Sequence, residues 1–167
     1  MQPITKQIHT LLIRNKKTIA VAESCTGGIV ASLLTSLSGS SRFFIAGLIT
    51  YSNRSKERLL HIQHALLARQ GAVSQPIAKA MAQQVRKISH ADIGIGITGI
   101  AGPTGGTPLK PVGTVFVAIA LPKNTFCKQF RFKGTRATIR TKAAKQSLIM
   151  LAKLLTQYSL LNTPYSA

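Results

Sequence analysis

Acidic residues are nearly missing from this chain. Glu23, Glu57 and Asp92 stand against 22 Lys and Arg, for a formal charge of +19. Three carboxylates leave almost no material for paired-carboxylate hydrolysis or a carboxylate-held divalent metal. Cysteine is scarce as well. Cys25 and Cys127 lie far apart in unlike contexts, which is neither a disulfide framework nor a zinc-ligand spacing. A reduced, cytoplasmic compartment is the simplest expectation. Long apolar runs are absent. The start, M-Q-P-I-T-K-Q-I-H-T-L-L-I-R, lacks the continuous apolar core of a secretory leader. No run approaches the roughly 20 residues that cross a bilayer, so no membrane partner is expected. There is no internal repeat and no low-complexity tract.

What is abundant is positive charge and, in one place, glycine and proline. The charge points to a polyanion partner or to an anionic substrate drawn in by the field. The basic residues are scattered, so nucleic acid is possible as a partner but not favoured. The exception is Lys123 to Lys145, with Lys123, Lys128, Arg131, Lys133, Arg136, Arg140, Lys142 and Lys145 and no acid. Thr98 to Thr114, T-G-I-A-G-P-T-G-G-T-P-L-K-P-V-G-T, holds five glycines and three prolines between two apolar runs. A loop of that length inside a domain is functional or disordered. Prolines restrict its path and glycines let backbone approach a ligand. The loop reads as a shaped wall for a small molecule.

The 167 residues suit one domain, within the usual roughly 100–200. Ile4, Ile8, Leu11 and Leu12 predict a helix over residues 3–15. Thr18–Ala22 reads as a buried strand that ends in E-S-C-T-G-G and enters a helix, a turn that aims N–H groups at an anion. Phe43–Thr50 is a second strand. Ser52 or Asn53 caps a short helix carrying Lys56, residues 64–70 form another turn or two closed by Gly71, and Ser74 caps a helix through Ile88. Ile93–Ile97 and Val115–Leu121 are strands. Thr125–Lys133 alternates as a half-covered or edge strand and forms a hairpin with the one before it. A last helix runs from about Thr135 to Tyr158. Helices flanking strands with a hairpin included predict a three-layer α/β/α sandwich with a mixed sheet. The domain is expected over residues 1–161, with 162–167 a frayed tail.

Acid–base candidates are few. His9, His61, His64 and His90 lie away from the glycine-rich turns. Cys25 sits in a turn before a helix, where a thiol pKa can fall, but no His is near it in sequence. Ser41, Tyr51 and Lys56 offer a serine, tyrosine and lysine set, with Lys56 a base if desolvation lowers its pKa. Ser41 and Tyr51 bracket a strand of roughly 26 Å, so they meet only if Ser41 folds back over the sheet.

Six segments stand in order: A-E-S-C-T-G-G (Ala22–Gly28), G-S-S (Gly39–Ser41), T-Y-S-N-x-x-K (Thr50–Lys56), G-A-V-S (Gly71–Ser74), T-G-I-A-G-P-x-G-G-T-P (Thr98–Pro108) and K-P-V-G-T-V (Lys110–Val115). Together they resemble the CinA C-terminal domain, also called the PncC-type nicotinamide-nucleotide amidase, over roughly residues 4–157. The resemblance implies hydrolysis of the carboxamide of nicotinamide mononucleotide to nicotinate mononucleotide and ammonia, in pyridine nucleotide recycling, with no metal or other cofactor. It implies Ser41 as nucleophile with Tyr51 and Lys56 as partners. It places Thr98, Gly99 and Gly102 against the substrate, with Thr26, Gly27 and Gly28 at a helix N-terminus near the pocket. Arg136 and Arg140 match a G-[DT]-R-x-x-x-R pattern as phosphate ligands. A homo-oligomer is expected. Two-domain relatives carry a molybdopterin-binding-like domain first, for which this chain has no room. Gln75, Leu109 and Thr135 replace acids common in the family, a drift that leaves the proposed catalytic set intact and puts any salt bridges of those acids in doubt. The competing reading is a non-catalytic nucleotide- or nucleic-acid-binding module linked to competence or DNA damage.

Overall fold

Large and small side chains alternate along the central strands and set the layers of the molecule. In the computed structural model, which describes residues 2–161, β1 (Ile19–Glu23), β2 (Phe44–Ile49), β3 (Ile93–Gly99), β4 (Thr114–Ala120) and β5 (Thr125–Arg131) form one sheet in the order β2-β1-β3-β4-β5. β1 runs parallel to both β2 and β3, and β4 is antiparallel to β3 and β5. The expected hairpin and mixed sheet are present, and β5 is an edge strand. The chain turns from β1 to one side for β2 and returns to the other side for β3. Ligands in open α/β sheets sit at the carboxyl ends of strands beside such a switch.

Ile19 and Val21, Ile93, Ile95 and Ile97, and Val115, Val117 and Ile119 face one way. They pack on α1 (Gln2–Arg14), α2 (Ile29–Leu34) and α6 (Arg136–Leu161), whose Ile8, Leu12, Val30, Leu34, Ile139, Leu148 and Leu151 complete that layer. The opposite face is small: Ala20, Ala22, Ala118 and Ala120, with Gly94 and Gly96 on β3. It receives α3 (Asn53–Leu60), α4 (His64–Gln70) and α5 (Gln75–Ile88). A Cβ on Gly96 would collide with the Ala78 carbonyl and lie 2.5 Å from the Ala82 amide. The glycines therefore let α5 lie directly on β3. Helices on both faces of a mixed sheet make the expected three-layer architecture.

Caps follow the residues that predict them. The Ser52 side chain accepts from the Ser55 N–H at the start of α3, and the Ser74 side chain from the Ile77 N–H at the start of α5. Gly71 ends α4 with φ +73°. The helix after the E-S-C-T-G-G turn is shorter than the sequence suggests, at six residues. The frayed tail expected over 162–167 lies outside the described residues.

Candidate active site

Three strands deliver their carboxyl ends to one edge of the sheet. β1 ends in Glu23 and continues through Ser24, β2 continues into Thr50 and Tyr51, and β3 ends at Gly99. The Ser24 N–H donates to the Ile97 carbonyl at 3.0 Å and the Thr50 N–H to the Glu23 carbonyl at 2.8 Å, so the first residues past the strands stay in register. α3 crosses beneath this edge on the small-residue face. Its Lys56, only 1% exposed, reaches back under β1. The Lys56 Nζ donates to the Thr50 carbonyl at 2.8 Å, the Tyr51 carbonyl at 3.3 Å and the Ser24 Oγ at 3.3 Å.

That geometry turns Lys56 from a surface lysine into a buried one. Burial pushes its ammonium below the ordinary lysine range, against an opposing pull from Cys25. A charge stripped of water favours its neutral form, and a neutral amine at a serine hydroxyl is a base. Cys25 next door is the reverse. Burial pushes its thiol up to about 12, although Arg140 and Lys56 both act to lower it. It is a packing residue, not an activated nucleophile.

The turn that follows β1 is held from two sides. The buried Glu23 carboxylate accepts from the N–H groups of Gly28, Val30 and Ala31 at 3.0, 3.2 and 2.8 Å. The anion expected at this helix N-terminus is thus the chain's own glutamate, which occupies the N–H groups assigned to substrate near Gly27 and Gly28. From α6, the Arg140 guanidinium donates to the carbonyls of Cys25 at 3.1 Å and Thr26 at 2.9 Å. Gly27, with φ +60°, gives it passage, because a Cβ there would sit 2.9 Å from an Arg140 nitrogen. Arg140 shapes the turn, and two of its donors are committed to it.

One turn earlier on α6, Arg136 is exposed and forks between two elements. It donates to the Gly102 carbonyl at 2.7 Å and to the Tyr51 hydroxyl at 2.6 Å. It thereby joins the glycine-rich loop to the end of β2. Gly102, with φ +75°, has no room for a side chain against Val112. Its part is to present that carbonyl. Gly99 is likewise filled by Val115 and Thr114 of β4. Thr98 is buried and its hydroxyl donates to the Ala72 carbonyl at 2.7 Å, which ties β3 to the segment before α5. The loop itself connects the antiparallel pair β3 and β4 and is braced at its base by Ile100–Thr114 and Gly113–Ile100 backbone bonds.

Of the expected set, Tyr51, Lys56, Thr26, Gly27, Gly102, Arg136 and Arg140 converge on this edge. Ser41 does not. It sits in the turn Ser40–Arg42 before β2, at the opposite end of a strand about 20 Å long. The fold-back that would bring it to Tyr51 within one chain does not occur, because β2 runs straight alongside β1 from Phe44 to Ile49. The serine within reach of Lys56 is Ser24, which the sequence reading passed over inside the A-E-S-C-T-G-G segment. Its signal was its place, the first residue past a buried strand, overshadowed by the neighbouring cysteine. Two buried hydroxyls, Thr26 Oγ1 in the turn after Ser24 and Thr50 Oγ1 just past β2, have no hydrogen-bond partner among the described residues. A buried polar group left unpaired costs about 1–3 kcal/mol.

The fold and this edge define an α/β domain with a serine–lysine pair at the carboxyl ends of its parallel strands. The chain belongs to the CinA C-terminal domain family, whose model matches residues 1–155. It is 46% identical over 149 residues to a CinA-like protein of Syntrophus aciditrophicus, covering 89% of this chain and 36% of that protein. It is 49% identical over 138 residues to a CinA-like protein of Geobacter sulfurreducens, covering 83% of this chain and 33% of that one. The chain thus spans about a third of the length of these curated relatives. Among solved structures, competence damage-inducible protein A of Klebsiella pneumoniae superposes with a TM-score of 0.89 at 32% identity, covering 92% of this chain and 96% of that one. A competence/damage inducible protein of Agrobacterium tumefaciens does so with a TM-score of 0.89 at 35% identity, covering 92% and 94%. Among the described residues no helix is long and apolar enough to cross a membrane.

Proposed function

We propose that this chain is a serine–lysine amidohydrolase that converts nicotinamide mononucleotide to nicotinate mononucleotide and ammonia, with Ser24 as nucleophile. The observation that carries the reading is the Lys56 amine, buried and 3.3 Å from the Ser24 hydroxyl. Neutral Lys56 takes the Ser24 proton as Oγ adds to the carboxamide carbon. The amine then returns that proton to the leaving nitrogen, which departs as ammonia. Water, deprotonated by the same amine, cleaves the acyl-serine and releases the carboxylate. The Tyr51 hydroxyl, held by Arg136, is a donor for the developing oxyanion. The exposed Arg136 guanidinium is the phosphate ligand, and Arg140 keeps the Ser24–Gly27 turn in place.

A second reading, polyanion binding without turnover, rests on the +19 charge. It predicts that log K falls steeply with log salt, by about 0.9 per phosphate contacted on duplex DNA. The deciding assay is ammonia release from nicotinamide mononucleotide. Wild type turns over, and Ser24→Ala loses on the order of 10³-fold or more in kcat. Turnover that survives in Ser24→Ala removes this serine from the mechanism, and silence from wild type removes the amidase.

A further inference from the structure

A recess of about 390 Å³, mouth included, opens at the end of the sheet away from the candidate active site. Three elements line it: Ile93 at the start of β3, Leu121 just past β4, and Leu151, Leu154 and Leu155 on the far half of α6. The three leucines of α6 stand at i, i+3 and i+4, so they share one face of the helix. Ile93, Leu151 and Leu155 are buried, and Leu121 and Leu154 are partly buried against the same core. The walls are therefore continuous with the apolar interior. Two charged residues, Lys17 and Asp92, border the recess. Small-molecule sites have this make-up, about 300–1,000 Å³ of mostly apolar surface with a few placed polar groups. Apolar walls of this kind give water few partners.

We propose that this recess binds a small monocarboxylate with an apolar body, its chain against Leu151, Leu154 and Leu155 and its carboxylate on Lys17. The sign of the head group follows from the border. Asp92 is the one acid that lines the recess among the described residues. Its carboxylate is held from within the chain, by the Thr18 N–H and the Thr18 hydroxyl at 2.9 Å each. The bond to the Lys17 ammonium, at 3.3 Å, is the longest of the three. A ligand cation would meet Lys17 and the field of a chain of formal charge +19. A ligand anion is drawn in by both. The apolar body follows from the walls, since burying it against the leucines removes hydrocarbon surface from water on both sides. None of these residues belongs to the Ser24–Lys56 edge, so the site stands apart from the amidase reading.

Octanoate is the probe, followed by NMR in protein isotope-labelled at its Ile and Leu methyl groups. Saturable shifts are expected at Ile93, Leu151 and Leu155, and none at Ile49 beside the candidate active site. Octanol has the same chain without the charge and should bind about tenfold more weakly or worse. Octylamine, with the opposite charge, should leave these methyls unmoved. Leu154→Trp fills the recess and is expected to abolish the octanoate shifts. Lys17→Met keeps the stem and removes the charge, and should weaken octanoate about tenfold while leaving octanol unchanged. Thermal unfolding checks that both variants are folded. The comparison of octanoate with octanol and octylamine in wild type decides the head group even if a variant fails to fold. Three results overturn the proposal: no saturable shift at the lining methyls, octanol or octylamine binding as tightly as octanoate, or octanoate binding undiminished in folded Leu154→Trp. Shifts that acetate reproduces and that fade with added salt overturn it as well, because they report counter-ions on a basic surface.

Discussion

The two ends of the parallel strands treat polar groups in opposite ways. At the amino end, where β1 and β3 begin, the polar groups of Lys17, Thr18 and Asp92 pair with one another. The Asp92 carboxylate accepts from the Thr18 N–H and the Thr18 hydroxyl, both at 2.9 Å, and pairs with Lys17 at 3.3 Å, while the Asp92 N–H donates to the Thr18 hydroxyl at 3.0 Å. At the carboxyl end, among the described residues, a lysine is buried without a carboxylate hydrogen-bonded to it, two threonine hydroxyls are unpaired, and an arginine forks outward between a tyrosine and a loop. The same strands support a clamp at one end and a cationic edge with unpaired hydroxyls among the described residues at the other. Strain of this kind is retained where function uses it. The contrast predicts that substitutions at the carboxyl end act on turnover and those at the amino end on stability.

After Ser24, the largest effect belongs to Lys56. Lys56→Ala is expected to lower kcat by about 10²- to 10⁴-fold, the range for a positioned general base. In wild type the rate rises with pH as the amine loses its proton. Because burial holds this group below the ordinary 10.5, the rise ends before that value. The same depression means the folded state binds the proton less tightly than the unfolded chain. Stability therefore bears a cost below the folded pKa that is relieved as pH rises toward 10.5. A pH–rate profile that climbs unbroken to 10.5 would place the working amine in water and contradict its burial.

Arg136 comes next. Its planar fork reaches the Gly102 carbonyl and the Tyr51 hydroxyl together, which a lysine's single ammonium cannot reproduce. Arg136→Lys should cost roughly ten- to a hundredfold in kcat/KM, mainly through KM, since a charge-assisted contact is worth about 1.5–3 kcal/mol. Steady-state kinetics with the mononucleotide decide it. A loss confined to kcat would move Arg136 from holding the substrate to the chemical step.

The difference between the ends also explains what was readable from residues alone. Periodicity placed the first and last helices, because Ile8 and Leu12 or Ile139 and Leu148 recur with the period of the element that buries them; apolar runs placed the central strands. Ser52 and Ser74 announced their caps. Thr98 and Gly99 read as the start of the loop and not as the closed end of β3, because their neighbours Ala72 and Val115 come from other elements. Ser24 and Lys56 are 32 positions apart, and nothing local joins them. The lysine is buried only because α3 lies on a face of alanines, which brings its long side chain under β1. Ser41 precedes Tyr51 and Lys56 in sequence, and the straight edge strand β2 between them holds it away. Glu23 filling the helix N-terminus was equally out of reach, since its neighbours in sequence do not reveal which way its carboxylate turns.

The smallest effect tests the closed end. Asp92→Asn keeps the shape but gives up the charge on which the Thr18 and Lys17 donors converge. Loss of about 1–2 kcal/mol in urea unfolding is expected, with turnover unchanged. Burial alone would raise the Asp92 pKa, but the bonds from the Thr18 N–H, the Thr18 hydroxyl and Lys17 outweigh it and hold the carboxyl below its ordinary 3.8. A depressed carboxylate contributes stability that is fully present above the unfolded pKa and is lost as pH falls through the folded one. The gap between wild type and Asp92→Asn should therefore be constant at neutral pH and shrink below about pH 4. A gap that persists into strong acid would mean that the clamp works by shape alone, and one accompanied by lost turnover would mean that the two ends of the strands are coupled.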